Sequence, residues 1–326
     1  MPANRKKVLL PANLAPAGWD LIHTRDDVEP LTYPPSLPMA EFHRFLADAH
    51  AVALSFTPYS AAELAASPAM QVVARIGVGY DAVDVPALTA RRIPLMIAGT
   101  ANSVTVAEHA LFAMLTLAKR SMVLDPLVRT GGWNERYADM PIDLAARTVL
   151  VIGFGRIGTR IAARCLAMEM TVLVSDPYVP ASTIRAAGCE PVSDLDVALP
   201  RADFVTIHCP KTPETVGLID ARRLALMKPS AFLVNTARGG IVDEVALADA
   251  LTAKRLAGAG IDVFSTEPVP VDNPLLELSS VVLSPHMAGV TVEAIARSSR
   301  TTVANILSVF DGRPVRENVV NKEVLD

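Results

Sequence analysis

The strongest constraint on this chain lies near its middle, where Val149-Leu150-Val151-Ile152 runs into Gly153-Phe154-Gly155-Arg156-Ile157-Gly158 and then into a helical pattern over residues 159–166. An unbroken branched-apolar run predicts a strand buried on both faces, as in a helix-covered parallel sheet. The spacing Gly-x-Gly-x-x-Gly then specifies the turn. Gly153 permits its tightness, Gly155 lets the backbone approach a pyrophosphate, and Gly158 lets the helix pack close to the strand. Phosphates would accept hydrogen bonds at the helix N-terminus, where N–H groups are unpaired, so Arg156 and Ile157 count with the glycines as cofactor contacts. The next predicted strand, 171–175, ends in Asp176, whose carboxylate is expected to accept hydrogen bonds from the adenosine ribose and to repel a 2′-phosphate. Ser175-Asp176-Pro177-Tyr178 holds no Lys or Arg to neutralise such a phosphate, so NAD is expected over NADP. The plain alternative, a strand–helix turn beside a solvated acid, leaves the complete fingerprint unexplained.

Strand-like runs recur in two series, at 7–10, 51–55, 72–76 and 95–97, then at 148–152, 171–175, 204–208, 231–235, 258–262 and 281–283. Helical patterns separate them, among them 60–66 and 85–90, which predicts two doubly wound parallel sheets. At 326 residues two domains are the default. A long helix is expected from Ser103 to about Val128, with Gly131-Gly132 as its stop, and a last one from Val292 to Phe310 before Asp311-Gly312. A net charge of −4 gives no footprint for nucleic acid or an anionic membrane. No apolar run approaches the roughly 20 residues that span a bilayer. The basic start, Met1 to Lys7, precedes only Val8-Leu9-Leu10 before Pro11, which reads as a first strand rather than a signal peptide. Cys165, Cys189 and Cys209 are odd in number and match no metal spacing, so reduced thiols in a cytoplasmic protein and no metal are expected.

Hydride reduction of a ketone leaves negative charge on oxygen. It needs a proton donor, a cation for the substrate anion, and a group that sets the donor's pKa. Of six histidines, His23, His43 and His50 read as surface residues, His109 as a structural residue inside a helix, and His208 as a strand-end residue that could line the cofactor pocket. His286 follows Val281-Val282-Leu283-Ser284-Pro285 and stands at the carboxyl end of a buried strand, where open parallel sheets bind ligands. Glu267 follows the strand Gly260-Ile261-Asp262-Val263-Phe264, and Arg238 follows Phe232–Asn235. Taken singly these are a loop histidine, a solvated acid and a helix-entry cation; three successive strand ends bring them toward one cleft.

Three segments carry a family resemblance: Val234-Asn235-Thr236-Ala237-Arg238-Gly239-Gly240-Ile241-Val242-Asp243-Glu244; Gly258-Ala259-Gly260-Ile261-Asp262-Val263-Phe264 through Glu267-Pro268; and Ser284-Pro285-His286-Met287-Ala288-Gly289. In order after the glycine fingerprint, they resemble the arginine, glutamate and histidine motifs of the D-isomer-specific 2-hydroxyacid dehydrogenase family. Gly77-Val78-Gly79-Tyr80-Asp81 and Ser103-Val104-Thr105-Val106-Ala107-Glu108-His109 extend the likeness over nearly the whole chain. The resemblance implies a flavodoxin-like substrate domain, residues 1–101 plus 291–326, with a Rossmann NAD-binding domain, 102–290, inserted in it. It implies that a cleft closes on a small 2-hydroxy or 2-keto acid. Arg238 would hold the substrate carboxylate and polarise the keto oxygen. His286 would give and take the proton, and Glu267 would favour the charged imidazole and raise its pKa. Backbone N–H groups of Val78 and Gly79 would complete the carboxylate site. Asp262 would meet the nicotinamide carboxamide, while Thr105, Cys209, Pro210, Thr236, Ala237, Ala288 and Gly289 would line the remaining cofactor surface. A homodimer through the NAD-binding domain, using residues 103–129 and the Gly131-Gly132-Trp133 arm, is the family expectation.

Members acting on 3-phosphoglycerate usually carry a basic residue in the loop corresponding to Leu54-Ser55-Phe56-Thr57, which is uncharged here, although Arg75 could reach a phosphate. Their long forms also have a regulatory domain, whereas this chain stops soon after Asn321. The uncharged loop points to glyoxylate, hydroxypyruvate or another short 2-keto acid. Formate-specific relatives place Gln where this chain has Glu267. Two alternatives share the fold: an NAD(H)-sensing corepressor-like binding protein, and an oxidoreductase for an anion such as phosphite.

Overall fold

The computed structural model describes residues 5–326; Met1 to Asn4, the start of the basic flank, lie outside the described residues. The chain forms two compact units, Met1–Asn102 with Val290–Asp326, and Ser103–Gly289.

In the first unit the elements run β1 (Lys6–Pro11), α1 (Pro16–Ile22), β2 (Val28–Tyr33), α2 (Met39–Leu46), β3 (Ala51–Leu54), α3 (Ala61–Ala65), β4 (Val72–Arg75), α4 (Val85–Ala90) and β5 (Leu95–Met96). All sheet pairings are parallel, in the order β2-β1-β3-β4-β5 that flavodoxin-like sheets share. Alternate residues feed opposite faces: Leu9, Val52 and Val73 pack on one side, Val8, Ala51 and Val72 on the other. Strand β2 was not foreseen, because Val28-Glu29-Pro30-Leu31-Thr32-Tyr33 carries a proline. It is the sheet's edge, where a missing N–H is tolerated.

The second unit contains α5 (Ser103–Ala118), α6 (Ser121–Arg129), β6 (Thr148–Ile152), α7 (Gly158–Ala167), β7 (Thr171–Ser175), α8 (Ala181–Ala186), β8 (Glu190–Pro191), α9 (Leu195–Ala198), β9 (Phe204–Ile207), α10 (Ala221–Leu224), β10 (Phe232–Asn235), α11 (Glu244–Thr252), β11 (Gly258–Ile261) and β12 (Val281–Leu283). Its parallel sheet has the order β12-β11-β10-β9-β6-β7-β8. The order reverses between β6 and β9, and a crevice opens outside the carboxyl ends at such a point. The glycine turn follows β6, so the fold puts that turn at the crevice.

One expected element is two. The helix expected from Ser103 to about Val128 breaks at Arg120, whose φ of +56° leaves the right-handed helical region. The carbonyl of Ala118 then accepts the N–H of Ile142 instead of continuing the helix. Nothing in Lys119-Arg120 signals this, since neither is Gly or Pro. The last helix, α12 (Val292–Phe310), belongs to the first unit and buries Val303 and Ile306 against its sheet.

Candidate active site

The turn after β6 has the geometry a dinucleotide requires. Gly153 adopts φ +92°, and a Cβ there would fall 2.7 Å from the Cys209 nitrogen. A Cβ on Gly158 would stand 1.9 Å from the Gly153 carbonyl, so helix and strand meet at a distance only glycine allows. At Gly155 a Cβ would meet nothing within 4 Å, leaving open space above the backbone for a pyrophosphate. Helix α7 starts without a side-chain cap, so its first N–H groups remain for an anion. Asp176 Oδ2 accepts the Phe154 N–H at 2.7 Å and Oδ1 that of Tyr178 at 2.9 Å, which fixes the carboxylate beside the turn. Arg156 is exposed and Ile157 half-buried on the same turn.

At the ends of β10, β11 and β12 lies a cluster of ionisable groups. His286 Nδ1 is 2.7 Å from Glu267 Oε2, and Glu267 Oε1 accepts the Phe264 N–H at 3.0 Å. The two side chains are 41% and 36% exposed, so the pair is open to a reactant. His286 has φ +55°, which a non-glycine residue keeps only when its surroundings hold it. Asp262, 2% exposed, supplies that hold: its carboxylate accepts from Ser284 Oγ, Met287 N and Ala288 N, and its carbonyl accepts the His286 N–H at 2.8 Å. A carboxylate offers about four lone-pair sites, so one remains for a carboxamide N–H.

Arg238 is half-buried in the turn after β10. Asn235 shapes that turn, with Oδ1 accepting the Ala237 N–H and Nδ2 donating to the Arg238 carbonyl. Its neighbour Gly239 presses on the next strand-end loop, where an added Cβ would fall 1.8 Å from the Phe264 carbonyl. The arginine loop therefore lies directly against the loop leading to Glu267. Glu244, unremarked in sequence beyond its motif, reinforces this contact by accepting from Ser265 Oγ at 2.6 Å and Asn273 Nδ2 at 3.0 Å.

Two polar atoms at neighbouring strand ends are buried without a partner. One is Thr236 Oγ1 after β10; the other is His208 Nδ1 after β9. Thr206 Oγ1 lies 2.8 Å from His208 Nε2, and burial pushes the imidazole pKa down to about 3, so the ring is neutral. Orphaned polar atoms at strand carboxyl ends fit a site awaiting a polar ligand. Burial also pushes the Cys209 thiol up to about 11, so it is an unreactive wall. Pro210 next to it is exposed, Thr105 is buried on α5, and Ala288 and Gly289 follow the histidine. These residues fit an NAD molecule, which would be held by the glycine turn, Asp176 and the ends of β9 to β11.

In the first unit, Gly77 (φ +140°), Val78 and Gly79 form the loop after β4, and Arg75 Nε donates to the Gly79 carbonyl at 2.8 Å. Phe56 in the uncharged loop after β3 is 82% exposed. The expectation of plain surface histidines holds for His23 only. His43 Nε2 meets Glu63 Oε1 at 2.7 Å, and His50 Nδ1 accepts the Lys7 N–H at 3.0 Å. His109 also meets Ser284, 175 residues away, a contact for which no local sequence signal exists.

A parallel sheet with a dinucleotide turn, and an exposed carboxylate–imidazole pair on its strand ends, define a nucleotide-binding α/β protein. Residues 111–288 match the D-isomer specific 2-hydroxyacid dehydrogenase, NAD binding domain. That is more than half of the chain, and the chain belongs to this family, with its NAD-binding domain in the second unit. The D-3-phosphoglycerate dehydrogenase of Mycobacterium leprae is 45% identical over 277 residues, covering 83% of this chain and 52% of the relative. The chain thus spans about half the length of such curated relatives. Among solved structures, the D-lactate dehydrogenase from Aquifex aeolicus, complexed with NAD and lactic acid, superposes with a TM-score of 0.85 at 28% identity, covering 96% of this chain and 99% of that one. An NADPH-dependent glyoxylate/hydroxypyruvate reductase from Sinorhizobium meliloti gives 0.82 at 28% identity, covering 96% and 98%. Among the described residues no helix is long and apolar enough to cross a membrane.

Proposed function

We propose that the protein is an NAD-dependent dehydrogenase interconverting a small D-2-hydroxy acid and its 2-keto acid. The observation that carries this is the exposed His286–Glu267 pair at 2.7 Å, on the strand ends of an NAD-binding sheet. When bound, NAD(H) supplies or accepts the hydride. His286, held by Glu267 through Nδ1, presents Nε2 and gives its proton to the substrate oxygen in reduction, taking it back in oxidation. Arg238 holds the substrate carboxylate in its planar fork.

The preferred substrate is a short unphosphorylated 2-keto acid such as glyoxylate or hydroxypyruvate, because Leu54-Ser55-Phe56-Thr57 offers no cation to a phosphate. The second reading is 3-phosphoglycerate, favoured by the 45% identity to a phosphoglycerate dehydrogenase and by Arg75 beside Gly79. NADH oxidation with glyoxylate, hydroxypyruvate, pyruvate and phosphohydroxypyruvate separates them: kcat/KM highest for an unphosphorylated acid supports the first, highest for phosphohydroxypyruvate the second. No turnover with any acid on a broad panel defeats the enzyme reading. Self-association is part of the proposal. Helix α6 buries none of its residues, and Met122, Val128, Trp133 and Tyr137 are more than half exposed, an apolar arm suited to a second copy. A monomer in light scattering at working concentration would contradict this.

A further inference from the structure

His109 is a half-buried histidine to which the hydride chemistry gives no task. Its Nε2 lies 2.9 Å from Ser284 Oγ, which in turn lies 2.5 Å from Asp262 Oδ1. The serine hydroxyl donates to the carboxylate, so its lone pairs face the imidazole, and the Nε2–H of His109 is the donor. The sequence of groups is histidine, serine, aspartate, with serine in the middle. No base is aimed at the serine proton except the acid it already serves, so the hydroxyl is not an activated nucleophile.

What this chain of bonds does hold is the loop bearing His286. The Asp262 carboxylate accepts the N–H groups of Met287 at 2.8 Å and Ala288 at 2.9 Å, and its carbonyl accepts that of His286. Three consecutive backbone N–H groups therefore hang from one buried aspartate, and the first belongs to a residue at φ +55°. Ser284 and His109 fix the orientation of that aspartate from the side of helix α5. We infer that His109 is a positioning residue: through Ser284 and Asp262 it sets the backbone on which the His286 imidazole is carried against Glu267. The effect on turnover rests on the acid–base role proposed for His286.

The test compares the full chain with His109→Ala, His109→Gln and Ser284→Ala. Readouts are kcat and KM with the best 2-keto acid, NADH affinity by fluorescence, and amide exchange at Met287 and Ala288. His109→Ala lowers kcat about tenfold, as one lost hydrogen bond predicts, with KM and NADH affinity near wild type and exchange faster at both amides. His109→Gln, whose side-chain N–H reaches the same hydroxyl, recovers most of the kcat. Ser284→Ala repeats the loss, and the double alanine variant adds nothing to it. An unchanged kcat, a loss confined to KM or NADH affinity, or equal losses in the Ala and Gln variants overturns the inference. Should His109→Ala fail to fold, Ser284→Ala and His109→Gln carry the same comparison. A wild type that reduces no 2-keto acid defeats the proposed reaction instead; exchange at Met287 and Ala288 then still decides the clamp, and unaltered exchange in the variants refutes it.

Discussion

Two histidine–glutamate pairs in this molecule have the same 2.7 Å separation, His286 with Glu267 and His43 with Glu63. Each glutamate also accepts the N–H of the residue three positions before it, but their surroundings differ. Glu63 is 6% exposed, stands on α3, and also accepts from the Ser60 N–H at 2.7 Å and the Ser60 hydroxyl at 2.5 Å, closing a capping box. Its partner lies on α2 beside the core residue Phe42. Glu267 and His286 sit on loops at strand carboxyl ends, open to solvent, with the histidine in a left-handed conformation. A short distance between an imidazole and a carboxylate therefore marks no site by itself. Accessibility and the strand-end position separate a pair open to a reactant from one that fastens two helices.

The largest expected effect falls on the open pair. His286→Ala should reduce kcat by roughly 10²–10⁴-fold, the usual loss of a general acid, while thermal stability stays near wild type. Turnover near wild type would make this pair as structural as the other. Glu267→Gln keeps the shape of the acid and removes its charge, so a smaller loss of kcat is expected. A loss equal to that of His286→Ala would show that the two residues act as a single unit.

At the other end of the same sheet, Asp176→Ala should reduce the preference for NADH over NADPH, because the carboxylate that repels a 2′-phosphate is gone. The ratio of kcat/KM for the two cofactors reads this directly. An unchanged ratio would mean that a different group excludes the phosphate.

How far the sequence told the two pairs apart depends on the range of the contacts involved. The strand-end positions of His286, Glu267 and Arg238 were legible because each sits in a contiguous motif soon after an apolar run. Six of the seven strands and the glycine turn were legible for the same reason, whereas β8, the two residues Glu190–Pro191, has no apolar run to show it. The strand before His286 is not the buried one expected, since β12 lies at the sheet edge and buries only Val281. His43 and Glu63 are 20 residues apart on two short helices, and only the packing of those helices makes them neighbours. The break at Arg120 and the bond from His109 to Ser284 are likewise tertiary facts. In each case ordinary residues are held by partners far along the chain, and local propensity is silent about them.

The smallest effect is expected at the closed pair, and it should appear in stability rather than turnover. His43→Ala removes one charge-assisted bond from a glutamate that Ser60 still satisfies twice, so a loss of about 1–2 kcal/mol is expected, with kcat unchanged. Burial tends to raise the Glu63 pKa, but hydrogen bonds from His43 and Ser60 outweigh it and hold the group at about 2, against an ordinary 4.5. A carboxylate with a depressed pKa stabilises the fold fully above its unfolded value, and that contribution fades as pH falls from 4.5 toward 2. Glu63→Gln lacks this acid-labile contribution. Its stability deficit relative to wild type should therefore be largest near neutral pH and shrink below about pH 4. Urea unfolding followed by Trp19 in a Trp133→Phe background reports on the unit that contains the pair. Parallel pH profiles for the variant and wild type would show that the Glu63 charge contributes nothing, and that shape alone fastens α3 to α2.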